Sequence, residues 1–295
     1  MKSNFEFLHC YWPALAEIGE AAEKYLYSDP NASIFKMGLF AERLVLEIFV
    51  FERIDEPQID NTHANRIRIL KRSGLLPRDI DDTLYLLRKT RNSAVHAGAD
   101  SEEEAKVLLS MMHNLAVWFM KTYGNWNFIA PSFVMPDNVP SPNFEELFAE
   151  QEKKIAELSK QLETVTTAAS GTTQKDRIKQ SEKVTAMINW TEAQTRCLID
   201  EQLRKSGWEV DSNNLRYSKG TRPIKGRNIV ISEWPTNSEF SKNGFADYAF
   251  FVGEQLIAFM EAKRFSEDVA AAIDVQVKDY ATHLKEESAK YIINT

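Results

Sequence analysis

The positions of apolar side chains divide the chain into three stretches. From the N-terminus to about residue 125 they recur at helical spacing. Ile34, Phe35, Leu39, Leu44, Leu46, Ile48 and Phe49 fall on one broad face of a long proline-free run that reaches Asp55. A second helix follows Asn61, from His63 to Arg72, and stops at Ser73-Gly74. A third begins after Pro77, with Ile80, Leu84 and Leu87 at i, i+4 and i+7, and stops near Gly98. Ser101 and Glu104 have the spacing of a capping box ahead of a helix from Val107 to Tyr123. With no strand signal in this stretch, residues 1–130 are expected to form an N-terminal helical bundle.

Residues 131–190 read as a connector. Pro131, Pro136, Pro140 and Pro142 lie close together with Ser and Asn between them. Phe148, Ile155, Leu158, Leu162 and Val165 then recur at a/d-like spacing, which suits a short coiled coil or a solvated connector helix. Ala168–Lys175 is expected to be a flexible break. Residues 191–295 change character. The Thr191–Gln194 stretch (TEAQ) offers a second capping box for an amphipathic helix that runs to Lys205 and stops at Ser206-Gly207. Beyond it, Arg227–Glu233, Asp247–Val252 and Leu256–Lys263 read as strands, Val269–Lys285 as a helix, and Lys290–Ile293 as the start of another strand. The expected fold is therefore multidomain, α followed by an α/β core, with a linker or coiled-coil helix between them.

Charge changes this picture locally. The chain carries a net charge of −7, yet Arg204, Lys205, Arg216, Lys219, Arg222, Lys225 and Arg227 face only Glu209 and Asp211 in one window, a basic excess suited to a phosphate backbone or to an ordinary loop surface. Cys10 and Cys197 are far apart without CxxC spacing, so neither a disulfide framework nor a structural zinc site is expected, and a reducing cytoplasm fits. No run approaches the ~20 apolar residues of a membrane helix, and no secretion signal is evident. No G-x-x-x-x-G-K-[ST] phosphate loop occurs, so no ATP site is expected in this chain.

The chemistry concentrates in the strands. A hairpin centred on Glu254 sets Val252 opposite Leu256 and Asp247 opposite Glu261, and opposed residues project to one face. Lys263, two residues beyond Glu261, shares that face unless a bulge intervenes. Two carboxylates and an ammonium at one spot can seat a divalent cation and steady a phosphate. Glu261-Ala262-Lys263 also follows an apolar strand, LIAFM, where burying charge is costly.

Asp247 followed by Glu261-x-Lys263 resembles the signature of PD-(D/E)XK nucleases. The surrounding TEAQTR, LRKSGW, ISEWPT, GFADYAFF and MEAKR resemble the nuclease domain in the R subunit of type I restriction enzymes. The resemblance implies a restriction-endonuclease-like core at 191–295 that hydrolyses double-stranded DNA with Mg²⁺, for which Mn²⁺ substitutes. Asp247 and Glu261 would hold the metal, Glu192 on the first helix would assist it, and Lys263 would aid the nucleophile. Gln276 and Tyr280 match the Q-x-x-x-Y element of the RecB-like branch, and Glu233 is a weaker candidate. Ala246 stands where the founding motif has proline. Type I R subunits carry an ATP-driven motor after this domain and act with methyltransferase and specificity subunits, so a longer parent protein and these partners are implied.

Arg91-Asn92-Ser93-Ala94-Val95-His96 fits R-N-x-x-x-H, and LLRKTRNSAVHAG resembles HEPN-type helical domains, whose active members cut RNA without metal through the Arg and His. That gives a possible second site. An arginine near a helix end also bonds carbonyls or the carboxylates of the Ser101–Glu104 turn, and a histidine near a helix C-terminus is favoured by the dipole alone. Two rivals to the nuclease reading follow: a catalytically silent binding or assembly module, self-associating through the helical domain or coiled coil, and a metal-independent RNase using Arg91 and His96. His9, His63, His113 and His283 show no metal-ligand spacing. Trp118, Trp126, Phe128 and Phe133 are expected to cover the helical bundle, and Trp208 to pack against the first nuclease helix.

Overall fold

A computed structural model describes residues 2–97, 102–138, 172–236 and 244–262, with the side chains of residues 93–97 outside the description. Lys263, Gln276, Tyr280, His283, Ser101, the coiled-coil stretch and the expected last helix and strand all lie outside the described residues. The chain divides into two compact units, Met1–Ile188 and Asn189–Thr295.

The first unit is helical. Among the described residues its α-helices are α1 (Pro13–Tyr25), α2 (Pro30–Glu52), α3 (His63–Arg72), α4 (Arg78–Ala97), α5 (Glu102–Phe119) and α6 (Gln174–Ala186). Their ends follow local chemistry. Proline opens α1 and α2, where its missing N–H costs nothing. Asp29 caps α2 by accepting from the Ala32 amide at 2.9 Å, and Thr62 caps α3. Gly74, at φ 69°, follows the end of α3 in the left-handed conformation that stops a helix.

Helix α2 lies at the centre. Met37, Phe40, Leu44, Val45 and Ile48 are fully buried against α1, α4 and α5. The face expected from spacing is only partly right: Phe35 is exposed, and Leu39 and Leu46 are only half-buried. A helix surrounded on most sides has no single apolar stripe, so periodicity blurs. Burial also takes in charge there. Arg43 Nε donates to Glu47 at 3.2 Å, and desolvation pushes the Glu47 carboxyl up to about 7 against the pull of that arginine.

The described parts of residues 131–188 belong to this unit. Asn4 exchanges two 2.8 Å hydrogen bonds with the Val134 backbone, and Tyr27 Oη donates to the Pro136 carbonyl at 2.8 Å. Helix α6 is fixed by the Arg177 guanidinium, bidentate on Glu52 at 2.7 Å, and by Trp118 Nε1 donating to Ser181 at 3.0 Å. Trp118 is fully buried; Phe128 and Phe133 join a ring cluster with Phe7 and His113, while Trp126 is partly exposed.

The described residues of the second unit form one α-helix, α7 (Glu192–Lys205), and a mixed sheet ordered β1 (Glu209–Val210), β2 (Asn228–Pro235), β3 (Phe245–Val252) and β4 (Gln255–Met260). The Thr191–Gln194 capping box is formed as expected, and the helix stops at Ser206-Gly207. β1 pairs parallel with β2, and the other pairings are antiparallel. β1 is two residues long and leaves no periodic trace. One sheet face packs Val210, Val230, Tyr248 and Phe250 against Ile199 and Leu203 of α7, with Trp208 edge-on to Phe250 at 5.1 Å. The other packs Ile229, Ile231, Trp234, Ala249, Phe251 and Leu256 against Leu215 and Tyr217. Among the described residues no helix is long and apolar enough to cross a membrane.

Candidate active site

The β3–β4 hairpin determines what can meet at Asp247. Its turn is one residue tighter than expected: Gly253 and Glu254 alone connect the strands, so Val252 pairs with Gln255 rather than Leu256. Gly253 sits at φ 60°, a conformation that such a turn needs and that glycine adopts without strain. A bulge at Ile257 then absorbs the missing residue, turning Ile257 outward at 48% exposure. Beyond the bulge the expected register resumes, with Ala249 opposite Phe259 and Tyr248 opposite Met260. The strand ends at Met260, and just beyond Glu261 the Ala262 amide donates to Asp247 Oδ2 at 2.8 Å. With Ile257 and Ala258 exposed, the apolar run before Glu261 is not the wholly buried strand that the sequence suggested.

The residue that organises this end of the sheet is Arg196, which sequence reasoning missed. Its Nη2 lies 2.8 Å from Asp247 Oδ1 and 3.1 Å from Glu192 Oε1, and its Nη1 lies 3.6 Å from Glu233 Oε1. One guanidinium thus touches all three carboxylates named as candidates from α7, β2 and β3. The available signal was position: Glu192, Arg196, Ile199 and Leu203 form one stripe of α7, whose lower half packs on the sheet.

Glu233 reaches Arg196 by breaking the strand rule. Ser232 pairs with Tyr248 and Trp234 with Ala246, which sets Glu233 across from Asp247. Strict alternation would send Glu233 to the Ile229–Ile231 face and Trp234 to the other. Instead Glu233 adopts φ 53°, costly for a residue with a Cβ. Trp234 then joins the Ile229–Ile231 core, 4.8 Å from Phe251, and the Glu233 carboxylate meets Arg216 at 2.8 Å as well as Arg196.

Burial raises the Asp247 pKa, opposed by the Ala262 amide and Arg196 and reinforced by Glu192 and Glu233. Beneath it, Asp200 accepts from Tyr248 Oη at 3.0 Å and from the Ser212 amide at 2.7 Å, tying α7 to β3. Asp200 is likewise pushed up by burial.

Among the described residues, the group of three potential ligands with atoms mutually within 4.8 Å is His9, Glu17 and Glu20 in the helical unit. The carboxylates around Arg196 are wider apart, spaced by the guanidinium. The basic window is less available than its composition suggests. Arg204 donates to the Val210 carbonyl at 2.9 Å, Arg216 is held by Glu233, and Arg227 pairs with Glu209. Arg222 lies over the Tyr217 ring at 3.7 Å.

In the helical unit, Arg91 Nη1 bonds Glu42 of α2 at 2.7 Å and stacks on Phe35 at 4.9 Å. Arg91 thus finds a carboxylate on α2. His96 lies on α4, with its side chain outside the description.

Three comparisons bear on this architecture. Residues 209–295 match the model of the second domain of the type I restriction enzyme EcoKI endonuclease subunit, and residues 20–161 match a domain of unknown function, DUF4145. The chain is similar to the type I restriction enzyme EcoKI endonuclease subunit of Escherichia coli strain K12, 30% identical over 92% of this chain and 28% of that protein. The chain thus spans little more than a quarter of the length of this curated relative. No solved structure matches.

Proposed function

From the kinship of this chain with the endonuclease subunits of type I restriction enzymes, we propose that residues 191–295 are the Mg²⁺-dependent nuclease of a restriction system, hydrolysing phosphodiester bonds of double-stranded DNA. The observation that carries this reading is the convergence of Asp247, Glu192 and Glu233 on one guanidinium at the sheet end that Glu261 borders. Carboxylate oxygens are the hard donors Mg²⁺ prefers, and the group they surround is already positive. Asp247 and Glu261 would hold the cation, with Glu192 assisting. When bound, it would lower the pKa of a water and stabilise charge on the phosphate.

The chain's own groups have defined tasks. The Ala262 amide fixes the Asp247 carboxylate and leaves Oδ1 directed at the shared positive group. Lys263 would neutralise charge on the phosphate and orient the attacking water, with Gln276 and Tyr280 supporting the site. Sequence choice would come from a specificity subunit acting with a methyltransferase, and ATP-driven movement from a motor outside these residues.

The test is calorimetric titration of the full chain with Mn²⁺ or Mg²⁺, comparing wild type with Asp247→Ala and Glu261→Ala. Binding in the wild type and its loss in both variants is the expected outcome. A folded wild type that takes up neither ion would refute the metal seat and turn the reading to a catalytically silent binding module.

A further inference from the structure

The helical unit holds a second charged cluster, independent of the nuclease reading, where α2, α3 and α4 meet. His63, the first residue of α3, is 9% exposed, and neither ring nitrogen has a hydrogen-bond partner. Arg88 of α4 has a buried Nε without a partner and no carboxylate among the described residues; its guanidinium lies over the Tyr85 ring at 5.0 Å. Arg66 of α3 and Arg91 of α4 share one carboxylate, Glu42 of α2, at 4.0 and 2.7 Å. Arg66 also holds Glu56 at 2.9 Å. Three guanidinium groups thus face two carboxylates.

Buried donors without acceptors are rare because each forfeits its hydration. Here the Arg88 Nε and the ring N–H of His63 are left open in one positively charged cluster. An Arg Nε–H can only donate, so what completes it is an acceptor. The excess charge asks that the acceptor be an anion, and guanidinium forks match tetrahedral oxyanions. Access is available: the Arg91 and Glu42 side chains are each about a quarter exposed. The position of Arg91 is also imposed by packing. A Cβ on Gly38 of α2 would lie 2.4 Å from Arg91 Cδ, so glycine there lets α4 bring the arginine close.

We propose that His63, Arg66, Arg88 and Arg91 form a binding site for a phosphate group, free or at the end of a nucleotide. Arg88 and Arg91 grip the oxygens, and His63 donates a ring N–H. The groups facing His63 are Glu42 from α2, Arg66 from its own helix, and Arg88 and Arg91 from α4. Burial first, and then the three arginines, keep its ring neutral against the pull of Glu42, near a pKa of about 4. An anion bound among them offsets the arginine field, so His63 takes up a proton as phosphate binds.

The experiment titrates the full chain with inorganic phosphate, AMP and adenosine at constant ionic strength, by calorimetry and by ring-nitrogen NMR of His63. Phosphate should bind and raise the His63 titration midpoint. Arg88→Gln should weaken binding about tenfold or more without unfolding the protein, because Arg88 has no carboxylate partner to lose. AMP binding as phosphate does, or more tightly, with adenosine silent, places the phosphate group in the site. Adenosine binding as well as AMP, no phosphate uptake with an unmoved His63, or full affinity in folded Arg88→Gln would each overturn the proposal.

Discussion

Replacing Arg196 by methionine is the most informative single change at the sheet end around Asp247. The substitution keeps the apolar stem and removes the charge. The Arg196 side chain is 14% exposed and Asp247 19%, so their 2.8 Å contact is a largely desolvated, charge-assisted hydrogen bond, with a net value of about 1.5–3 kcal/mol. The contacts to Glu233 and to the well-exposed Glu192 add little, about 0–1 kcal/mol each. Asp247 would then sit among like charges without a counter-ion. The expected loss is about 2–4 kcal/mol near neutral pH, read by urea denaturation of the full chain. The pH dependence gives a second readout. Burial already raises the Asp247 pKa and Arg196 opposes the rise, so removing the arginine raises it further. A carboxyl whose folded pKa lies above its unfolded value contributes stability at low pH that is lost as pH rises through the folded value. The deficit of the variant should therefore be largest above the folded-state pKa of Asp247 and shrink on acidification, as Asp247 protonates. A deficit under about 0.5 kcal/mol, or one that grows on acidification, would refute the counter-ion role of Arg196.

Other perturbations separate neighbouring claims. Glu47, pushed up to about 7 by burial, contributes stability at acid pH that is lost as pH rises through 7; Glu47→Gln should remove a loss of about 2–3 kcal/mol between about pH 5 and about pH 8 in urea melts. Arg177→Met strands the Glu52 carboxylate, whose side chain is 1% exposed, and should cost about 3–5 kcal/mol while exposing α6 to limited proteolysis. Glu233→Gly and Glu233→Gln remove the same charge, but only glycine relieves φ 53°, so the glycine variant should be the more stable by about 1 kcal/mol in thermal melts.

Much of this architecture is legible in the sequence because it is locally encoded. The α3 and α7 boundaries follow from Ser73-Gly74, the TEAQ box and Ser206-Gly207, and β2 and β3 from their apolar runs. Illegible features depend on partners distant in sequence. The face of α2 is blurred because neighbours surround it, and β1 exists only as a short pairing with β2. The hairpin shows both cases. Register near Asp247 is readable from spacing, yet the tight turn and the bulge at Ile257 cancel, and neither leaves a sequence mark. Arg196 was hidden because a guanidinium on a helix stripe reads as a solvated charge until the strands beside it are known.

The strained Glu233 and the half-buried Arg196 belong to one physical problem. Three carboxylates gathered from a helix and two strands repel one another, and a folded chain without a cation must still hold them. A permanent cation on α7 solves this at the level of folding, since a guanidinium does not deprotonate. Reaching it obliges β2 to abandon alternation at Glu233, at a cost of about 1–2 kcal/mol that the return of Trp234 to the core offsets. For a divalent cation to take these carboxylates, the same guanidinium must be outcompeted or must move to another partner. Affinity of the proposed metal seat would then be a difference between two cations for one set of oxygens. Arg196→Met, less stable than the wild type, should accordingly bind Mn²⁺ more tightly, a combination that loss of structure alone does not produce.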